Sequence, residues 1–343
     1  MQGPSFIINK TAVAPGTRLT IDLHVARLYT HSEITMPVHV VHGKLPGPRL
    51  FISAAIHGDE INGVEIIRRI LKLPVLKQLR GVLLAVPVVN VHGFIHHSRY
   101  LPDRRDLNRS FPGSAEGSLT ARLAHLFTEE IVKNATHGID LHTGALHRTN
   151  LPQVRADFDD KETARLARHF HVPVLLNSAI RDGSLRAVAA QQGIPMLLYE
   201  GGEALRFDEP AIAAGVRGIV DVMRALAMLP PGKTQRRKFP EQMLARSSTW
   251  VRSPDSGIFR TTRPLGFAVR KGDALGVVAD PFGEREVVIV SPVNGIVIGR
   301  MNLPLANAGD ALFHIARVER SPDKPARSDL PSNATVDEED DML

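Results

Sequence analysis

The sequence predicts an α/β protein with a mixed central sheet flanked by helices, followed by a C-terminal all-β region. A strand, a helix and a second strand follow one another over residues 50–56, 61–73 and 81–90, and this βαβ order implies parallel pairing. Residues 18–25 and 36–42 alternate polar and apolar side chains, as half-buried strands do. In the last third of the chain, helical periodicity gives way to short β runs separated by glycine turns.

Residues 1–45 form the first predicted unit, an N-terminal β segment joined to the central sheet. A turn over residues 43–48 separates it from the apolar run 50–56, which has the length and composition of a buried strand. The apolar residues of 61–73 recur at helical spacing, and 81–90 is a second buried strand.

Residues 46–232 form the second predicted unit, in which strands and helices alternate. A loop over residues 91–117 is rich in His, Arg, Asp, Asn, Pro and Gly, and so long a loop in a compact domain is usually functional. Pro230-Pro231-Gly232 ends the last helix and marks the boundary. Between the long loop and this boundary we predict helix 119–131, strand 138–144, helix 163–169, strand 172–176, a helix or turn over 181–192, strand 194–200 and helix 211–229.

Residues 240–318 form the third predicted unit and contain an internal repeat. The segment 253–258 is echoed by 291–296, and Gly-Asp-Ala-Leu occurs once in each copy. Two copies predict a small two-fold β-sandwich of about 70 residues. The remaining residues, 319–343, end in a run of five acidic side chains and are expected to form a disordered acidic tail.

The composition limits the possible functions. Of the 343 residues, 43% are hydrophobic and 23% charged, and none is cysteine, so a metal site must use His, Asp or Glu. Aromatic residues make up only 5%, and the basic residues behind the net charge of +6 are dispersed, which argues against a nucleic-acid partner. We see no signal peptide and no apolar run near the roughly 20 residues of a membrane span. We therefore expect no membrane partner and a cytoplasmic location.

Two strand ends carry side chains suited to a metal. His57 and Glu60 follow strand 50–56, at the edge where open α/β sheets place their ligand sites. His142 ends strand 138–144 and is the candidate third ligand, since a catalytic zinc site takes three protein ligands and leaves a fourth position to water. The alternative for each histidine alone is a hydrogen-bonded structural residue.

The long loop carries a second set of candidate site residues. Asn108 and Arg109 suit a substrate carboxylate, because a guanidinium grips it at two points and an amide adds a neutral donor. Asp106 either forms a local ion pair with Arg109 or accepts a hydrogen bond that fixes the tautomer of a ligating histidine. Arg99 or Arg104 would stabilise a developing oxyanion.

Glu200 is the remaining candidate. It ends a buried strand and precedes two glycines, so it faces a pocket or a turn. A carboxylate beside a metal-bound water can act as general base and then protonate a leaving amine, whereas a Glu that caps a turn is the alternative. Glu203, after the glycines, is expected to be solvated. The phosphate-loop, dinucleotide, H-E-x-x-H and G-x-S-x-G patterns are absent.

The motifs described above, and the order in which they occur along the chain, resemble those of the succinylglutamate desuccinylase/aspartoacylase family, a branch of the zinc carboxypeptidase clan. The resemblance covers roughly residues 45–230 and reaches the C-terminal β region in outline. The motifs that carry it are His57-Gly-Asp-Glu60, Arg99-Tyr100, Asp106-Leu-Asn-Arg109-Ser-Phe-Pro-Gly113, Asp140-Leu-His142-Thr-Gly144 and Glu200.

The resemblance implies a zinc-carboxypeptidase-like fold and one Zn²⁺ per chain. In family members the Arg-Tyr pair stands closer to the Asp-Leu-Asn-Arg motif, so Arg104 stays an alternative to Arg99. The implied roles are zinc ligation by His57, Glu60 and His142, general base catalysis by Glu200, polarisation of the scissile carbonyl by Arg99, binding of the substrate carboxylate by Asn108 and Arg109, and support of His57 by Asp106.

The repeat in residues 240–318 resembles the biotinyl/lipoyl-type β-sandwich. Carriers of that type present a modified lysine on the central hairpin, but residues 281–287 here contain no lysine. A carrier role is therefore disfavoured, and we expect this module to wall or narrow the mouth of the active site.

These observations predict a zinc-dependent hydrolase that cleaves the amide bond of an N-acyl amino acid or a related small acyl amide. A metal-activated water would be the nucleophile and Glu200 the base. A zinc carboxypeptidase acting on a short or unusual peptide is the alternative among enzymes, and an inactive zinc-binding scaffold is the alternative from another class. The expected partner is a small carboxylate-bearing acyl amide, and the sequence leaves formation of a homo-oligomer open.

Overall fold

The computed structural model describes residues 3–232 and 241–318. The described residues form helices α1 (Asn62–Lys72), α2 (Val91–Ile95), α3 (Leu119–Phe127), α4 (Lys161–His169), α5 (Leu185–Gln191) and α6 (Glu209–Ala225). They also form strands β1 (Phe6–Ile8), β2 (Thr11–Val13), β3 (Arg18–Arg27), β4 (Glu33–His42), β5 (Leu45–Ala54), β6 (Arg80–Val86), β7 (His137–Gly144), β8 (Arg148–Ala156), β9 (Val174–Asn177), β10 (Met196–Glu203), β11 (Met243–Ala245), β12 (Ser247–Arg252), β13 (Gly257–Thr261), β14 (Ala268–Val269), β15 (Ala274–Ala279), β16 (Glu286–Val290), β17 (Gly295–Met301), β18 (Leu305–Ala306) and β19 (Ala311–Arg317). The acidic tail predicted for residues 319–343 lies outside the described residues.

One mixed sheet of 13 strands runs through most of the molecule. Its main path is β12-β19-β17-β8-β10-β7-β5-β6-β4-β3, with β9, β11 and β14 paired beside this path. At its centre, β10, β7, β5 and β6 are mutually parallel. Toward either end the pairing becomes antiparallel, for example β4 with β6 and β10 with β8. The parallel centre places the carboxyl ends of several strands at one edge.

Helices cover both faces of the parallel centre. On one face, α1, α4 and α6 cover the sheet, and Leu50 of β5, Ile66 of α1 and Ile212 of α6 belong to the same buried cluster. On the other face, α3 and α5 enclose a second cluster with Phe51, Phe127 and Leu185. Because both faces are buried, residues 50–52 of β5 and 82–86 of β6 are apolar without interruption, as parallel strands generally are.

Helix ends follow local sequence signals. The side chain of Ser118 accepts the backbone N–H of Ala121 at the start of α3, and Asp208 does the same for Ala211 at the start of α6, which satisfies donors that a helix leaves free. The predicted helix 119–131 is α-helical only to Phe127 and continues as a π-turn. There the Thr128 hydroxyl donates to the carbonyl of Ala124 at 2.8 Å.

The C-terminal residues are continuous with the central sheet. Gly299 of β17 pairs with Asn150 of β8, and Met243 of β11 pairs with Val174 of β9. A second sheet, in the order β16-β15-β13-β18, lies over this part and shares a buried cluster with it. Two layers therefore enclose one core, and one of these layers is an extension of the central sheet.

The mixed α/β fold predicted from the sequence is confirmed at this level. The biotinyl/lipoyl-like fold of the C-terminal module and the division into units 1–45, 46–232 and 240–318 stay predictions. The predicted boundary includes residues 233–240, which lie outside the described part of the chain. No helix in residues 3–232 or 241–318 combines the length and the apolar character needed to cross a bilayer.

Candidate active site

The carboxyl ends of β5, β7 and β10 bring the candidate residues together. His57 and Glu60 follow β5, and His142 and Glu200 pair in register on the neighbouring strands β7 and β10, so their side chains share one face of the sheet. The chain leaves β5 through Ala55, which has a φ of 51°. A left-handed conformation in a residue other than glycine is uncommon and is found chiefly at sites where the backbone must turn sharply.

His57, Glu60 and His142 form a buried group whose ligand atoms lie within 4.8 Å of one another. Each residue is at most 5% exposed. Nδ1 of His57 lies 2.8 Å from Oε1 of Glu60, and Nδ1 of His142 lies 2.8 Å from Oε2. Two imidazole nitrogens thus converge on the two oxygens of one carboxylate.

The other nitrogen of each imidazole contacts a further carboxylate. Nε2 of His57 lies 3.2 Å from Asp106, and Nε2 of His142 lies 2.7 Å from Asp140. Ser53 in turn donates to Asp140 at 2.7 Å. Because a carboxylate only accepts, Nε2 of each ring is the donor, and Nδ1 is the atom that faces Glu60. This is the arrangement by which carboxylates orient metal-binding histidines.

Charges within the group perturb its pKa values strongly. Burial acts to lower the pKa of His142, but the carboxylates of Asp140 and Glu60 outweigh it and raise that pKa well above 6.5. Burial acts to raise the pKa of Glu60, but His57 and His142 hold it far below its usual range. The three side chains are therefore most stable when a positive charge lies between the Glu60 carboxylate and the two imidazole rings. A divalent cation would supply that charge in place of two ring protons, so the donor set fits a metal.

The long loop packs directly on the metal-binding motif. A Cβ on Gly58 would lie 2.0 Å from the carbonyl carbon of Gly93, so only glycine permits this approach. Asn90 caps α2 by accepting from Gly93 at 2.8 Å, and its amide donates to the carbonyl of Arg99 at 3.3 Å. These contacts fix the path of the loop and the position of Arg99.

Of the two candidate arginines, the structure places Arg99 in the site. Its guanidinium lies 3.3 Å from Glu60 and 3.0 Å from Asp106. Arg104 is exposed and is not among the residues that line the cavity. Asn108 and Arg109 both line the cavity, and Oδ1 of Asn108 accepts from the backbone N–H of Leu185 at 2.9 Å.

Glu200 lines the same cavity, and its two oxygens contact different residues, one through a hydrogen bond and one through an ion pair. Asn150 donates from Nδ2 to Oε2, and Nε of Arg155 lies 3.1 Å from Oε1. The expectation for Glu203 is wrong, because this residue is only 7% exposed. Glu203 accepts from the backbone N–H of His147 at 3.0 Å and from Asn302 at 2.8 Å.

The cavity at this edge has a volume of about 200 Å³, and six arginines line it. Two of these, Arg99 and Arg155, form the ion pairs described above. Within the described residues, no carboxylate oxygen pairs with the other four. Arg186 is only 8% exposed, and burial together with the neighbouring Arg155 lowers its pKa to about 10. The four arginines without a carboxylate partner are Arg109, Arg148, Arg181 and Arg186.

Sequence reasoning missed several residues that line or support the site. Asp140 stands two residues before His142, and this spacing puts both on one face of a strand, a signal that was available in the sequence. Asn150 and Arg155 lie on β8, which directly follows the His142 strand but carries none of the motifs, and Trp250 lies on β12, about a hundred residues further along the chain. Trp250 stacks on His314 with ring centroids 4.2 Å apart and forms one wall of the cavity.

The sequence and the fold are similar to those of known proteins. Residues 46–226 match the model of the succinylglutamate desuccinylase/aspartoacylase catalytic domain. An N-alpha-acetyl-L-2,4-diaminobutyric acid deacetylase from Halomonas elongata is 26% identical over 300 residues, which are 84% of this chain and 87% of that protein.

Two solved structures share the fold. The crystal structure of a succinylglutamate desuccinylase/aspartoacylase from Rhodobacter sphaeroides has a TM-score of 0.78 at 23% identity, covering 88% of this chain and 96% of that one. The product-bound ectoine utilization protein EutE (DoeB) from Ruegeria pomeroyi has a TM-score of 0.78 at 24% identity, covering 88% and 95%. Because the matched domain model spans more than half of the sequence, the chain belongs to the succinylglutamate desuccinylase/aspartoacylase family.

Proposed function

We propose that this protein is a zinc-dependent deacylase that hydrolyses the amide bond of an N-acyl amino acid or a related small acyl amide. The observation that carries the proposal is the convergence of Nδ1 of His57 and Nδ1 of His142 on the carboxylate of Glu60, each 2.8 Å away. The family supports the reaction class, and one named relative is a deacetylase of an acetylated amino acid.

His57, Glu60 and His142 would hold one zinc ion per chain. Two imidazoles and one carboxylate form a donor set of catalytic zinc sites, and the chain has no cysteine to offer a thiolate. When bound, zinc lowers the pKa of a coordinated water and polarises a carbonyl oxygen. Asp106 and Asp140 keep Nε2 of the two rings protonated, which leaves both Nδ1 atoms free to donate their lone pairs.

Glu200 is proposed as the general base. It pairs in register with His142 on the adjacent strand, so its carboxylate lies beside the metal group. Glu200 would take a proton from the attacking water and return it to the nitrogen of the leaving amine. Arg99, which lies next to Glu60, would stabilise the negative charge that develops on the carbonyl oxygen.

The charge of the cavity supports an acidic substrate. Asn108 and Arg109 are proposed to bind the substrate carboxylate at the cavity mouth. Arg181 and Arg186 add positive charge that no carboxylate of the described residues neutralises. Burial of the charged Arg186 next to other cations is unfavourable unless an anion binds beside it. Substrates with a negative side chain should therefore be preferred over substrates with a side-chain ammonium.

The size of the cavity favours the deacylase over the carboxypeptidase. Its volume of about 200 Å³ lies below the usual range for drug-sized ligands, roughly 300–1,000 Å³, and Trp250 closes one side. A small acyl amino acid fits such a space better than a peptide does.

We further propose a cytoplasmic location and no nucleic-acid partner. Both proposals rest on the sequence alone.

The test combines metal analysis with a substrate panel. The panel contains N-acetyl-L-aspartate, N-acetyl-L-glutamate, N-succinyl-L-glutamate, N-acetyl-L-2,4-diaminobutyrate, N-acetyl-L-leucine and glycyl-L-leucine. We expect about one zinc per chain, cleavage of the acidic N-acyl amino acids, and loss of activity in Glu200→Gln with zinc retained. Dialysis against a chelator should abolish turnover, and added zinc should restore it.

Glu203→Gln is the matched control. Glu203 stands in the same strand and has the same side chain, but it bonds to His147 and Asn302 and is not among the residues that line the cavity. This variant should retain turnover. Protein purified without chelators that holds no zinc would contradict the proposal. Zinc without cleavage of any panel member would instead favour the inactive scaffold.

A further inference from the structure

Both oxygens of the Glu200 carboxylate lie close to polar residues of one neighbouring strand, β8. Asn150 donates to Oε2 and Arg155 lies 3.1 Å from Oε1. Asn150 is 6% exposed, and the side chain of Glu200 is 14% exposed. Nε of Arg155 forms an ion pair without hydrogen-bond geometry, so Asn150 supplies the directional contact. A glutamate has three rotatable side-chain bonds, and this hydrogen bond limits the directions in which its carboxylate offers lone pairs.

A β-bulge brings Asn150 to the face of Glu200. Gln153 pairs with Glu200 and Asn150 pairs with Gly202, so three steps along β8 match only two steps along β10. In a regular strand, residues three apart point to opposite faces. The extra residue, in the segment that contains Pro152, turns Asn150 back to the face of the cavity. Bulges re-aim single side chains in this way.

The C-terminal region leaves the space that Asn150 occupies. Gly299 of β17 pairs with Asn150, and His314 of β19 pairs with Gly299 from the other side. A Cβ on Gly299 would lie 2.8 Å from Oδ1 of Asn150 and 3.1 Å from Cβ of His314. Asn150 and His314 therefore flank the bare backbone of Gly299, and the ring of His314 stacks on Trp250.

We propose that Asn150 is a positioning residue that orients the Glu200 carboxylate for proton transfer, and that Gly299 of the C-terminal region keeps Asn150 in place. The inference rests on the proposed role of Glu200 as general base. It assigns the C-terminal β region a part in catalysis through the chain of contacts from Gly299 to Asn150 to Glu200, in addition to walling the cavity.

Steady-state kinetics tests the inference, with the panel substrate that the wild type cleaves fastest. A displacement of about 1 Å in a catalytic group costs on the order of 100-fold in rate. We therefore expect Asn150→Ala to lower kcat by about 10- to 100-fold with little change in KM and with zinc retained. Gly299→Ala should lower kcat in the same way, because its Cβ displaces the Asn150 amide.

The double variant gives the sharpest result. Once Asn150 is alanine, Oδ1 is absent and the new methyl group at residue 299 has lost its closest contact. Asn150→Ala/Gly299→Ala should therefore show the kcat of Asn150→Ala alone, since coupled residues are not additive. Urea unfolding gives a readout without substrate: Gly299→Ala should lower the unfolding midpoint less in the Asn150→Ala background than in the wild type.

Ile298→Val is the control for a general loss of stability. It changes the next residue of β17, which is buried in a cluster with Leu151 and Val174, and should leave kcat near the wild-type value. Wild-type kcat in Asn150→Ala, additive losses in the double variant, or an equal loss in Ile298→Val would each overturn the inference. An active Glu200→Gln would show that the proposed function itself fails.

Discussion

His314 should make the protein lose stability in mildly acidic solution. This ring is 3% exposed and donates or accepts through Nε2 only with Ser248, at 2.8 Å. Burial, together with the nearby Arg155 and Arg181, lowers the pKa of His314 to about 3. The unfolded chain binds a proton here below about pH 6.5, whereas the folded chain does not. Stability from this group is therefore complete above pH 6.5 and is lost as the pH falls toward 3.

The size of the effect follows from the two pKa values. Each pH unit below the unfolded pKa costs about 1.4 kcal/mol, so acidification from pH 7.5 to 5 should cost about 2 kcal/mol through His314 alone. His314→Phe keeps a ring against Trp250 and removes the titrating group. The difference in unfolding free energy between the two pH values should therefore be about 2 kcal/mol smaller in this variant.

Urea denaturation measures this difference, with the fluorescence of Trp250, the single tryptophan in the sequence, as the signal. Comparing variants cancels the contributions of the other histidines. His96→Phe changes an exposed histidine outside the stack and should keep the wild-type pH dependence. Equal pH dependence in the wild type and His314→Phe would refute the reasoning.

Three further predictions concern the metal group, a helix surface and the loop contact. Asp140→Asn should weaken zinc binding about 10- to 100-fold in a chelator competition, because His142 loses the carboxylate that orients it. Glu65→Gln should lower stability by about 1 kcal/mol at neutral pH, and the difference should shrink from pH 4.5 toward 2 in thermal unfolding, because hydrogen bonds from Arg68 lower the pKa of Glu65 to about 2. Gly58→Ala should cost about 2 kcal/mol or more and release zinc, because its Cβ meets the backbone of Gly93.

Each of these predictions has a result that would contradict it. Unchanged zinc affinity in Asp140→Asn would show that His142 needs no carboxylate partner. A stability gap for Glu65→Gln that persists at pH 2 would separate the effect from the charge of Glu65. A Cβ on Gly117 would meet Cβ of Ala121 in α3 at 2.8 Å and Ser114 at 3.4 Å, neither of which belongs to the metal group. A loss of zinc in Gly117→Ala equal to the loss in Gly58→Ala would remove the special role of the loop contact.

The parallel centre of the sheet was predictable because burial on both faces selects mostly apolar side chains in β5 and β6. The run 50–56, the helix 61–73 and the run 81–90 predict β5, α1 and β6 with ends displaced by a few residues. The same logic placed His57, Glu60 and His142 at one edge, since parallel strands bring their carboxyl ends together. Strong periodicity was therefore sufficient for this part of the fold and the candidate metal group.

Strand β8 could not be predicted, for a physical reason that is visible in the structure. Asn150 and Arg155 line the cavity and Gln153 pairs with Glu200, so polar side chains occupy a face that would normally be apolar. The bulge near Pro152 also interrupts the period of two. Because β8 was not predicted, Asn150 and Arg155, the partners of Glu200, were not predicted either. Glu203 was misjudged because its acceptors are satisfied by His147 and Asn302, contacts that no local pattern shows.

Because the sheet is continuous, truncation of the protein before the C-terminal β region should expose strand edges. A chain ending near residue 240 would lack β11 and β17, which pair with β9 and β8. Two strands would then present unsatisfied amides and carbonyls to the solvent, and such open edges recruit other chains. We expect the shortened protein to aggregate, and the fragment 241–343, supplied during refolding, to rescue it by restoring the missing strands.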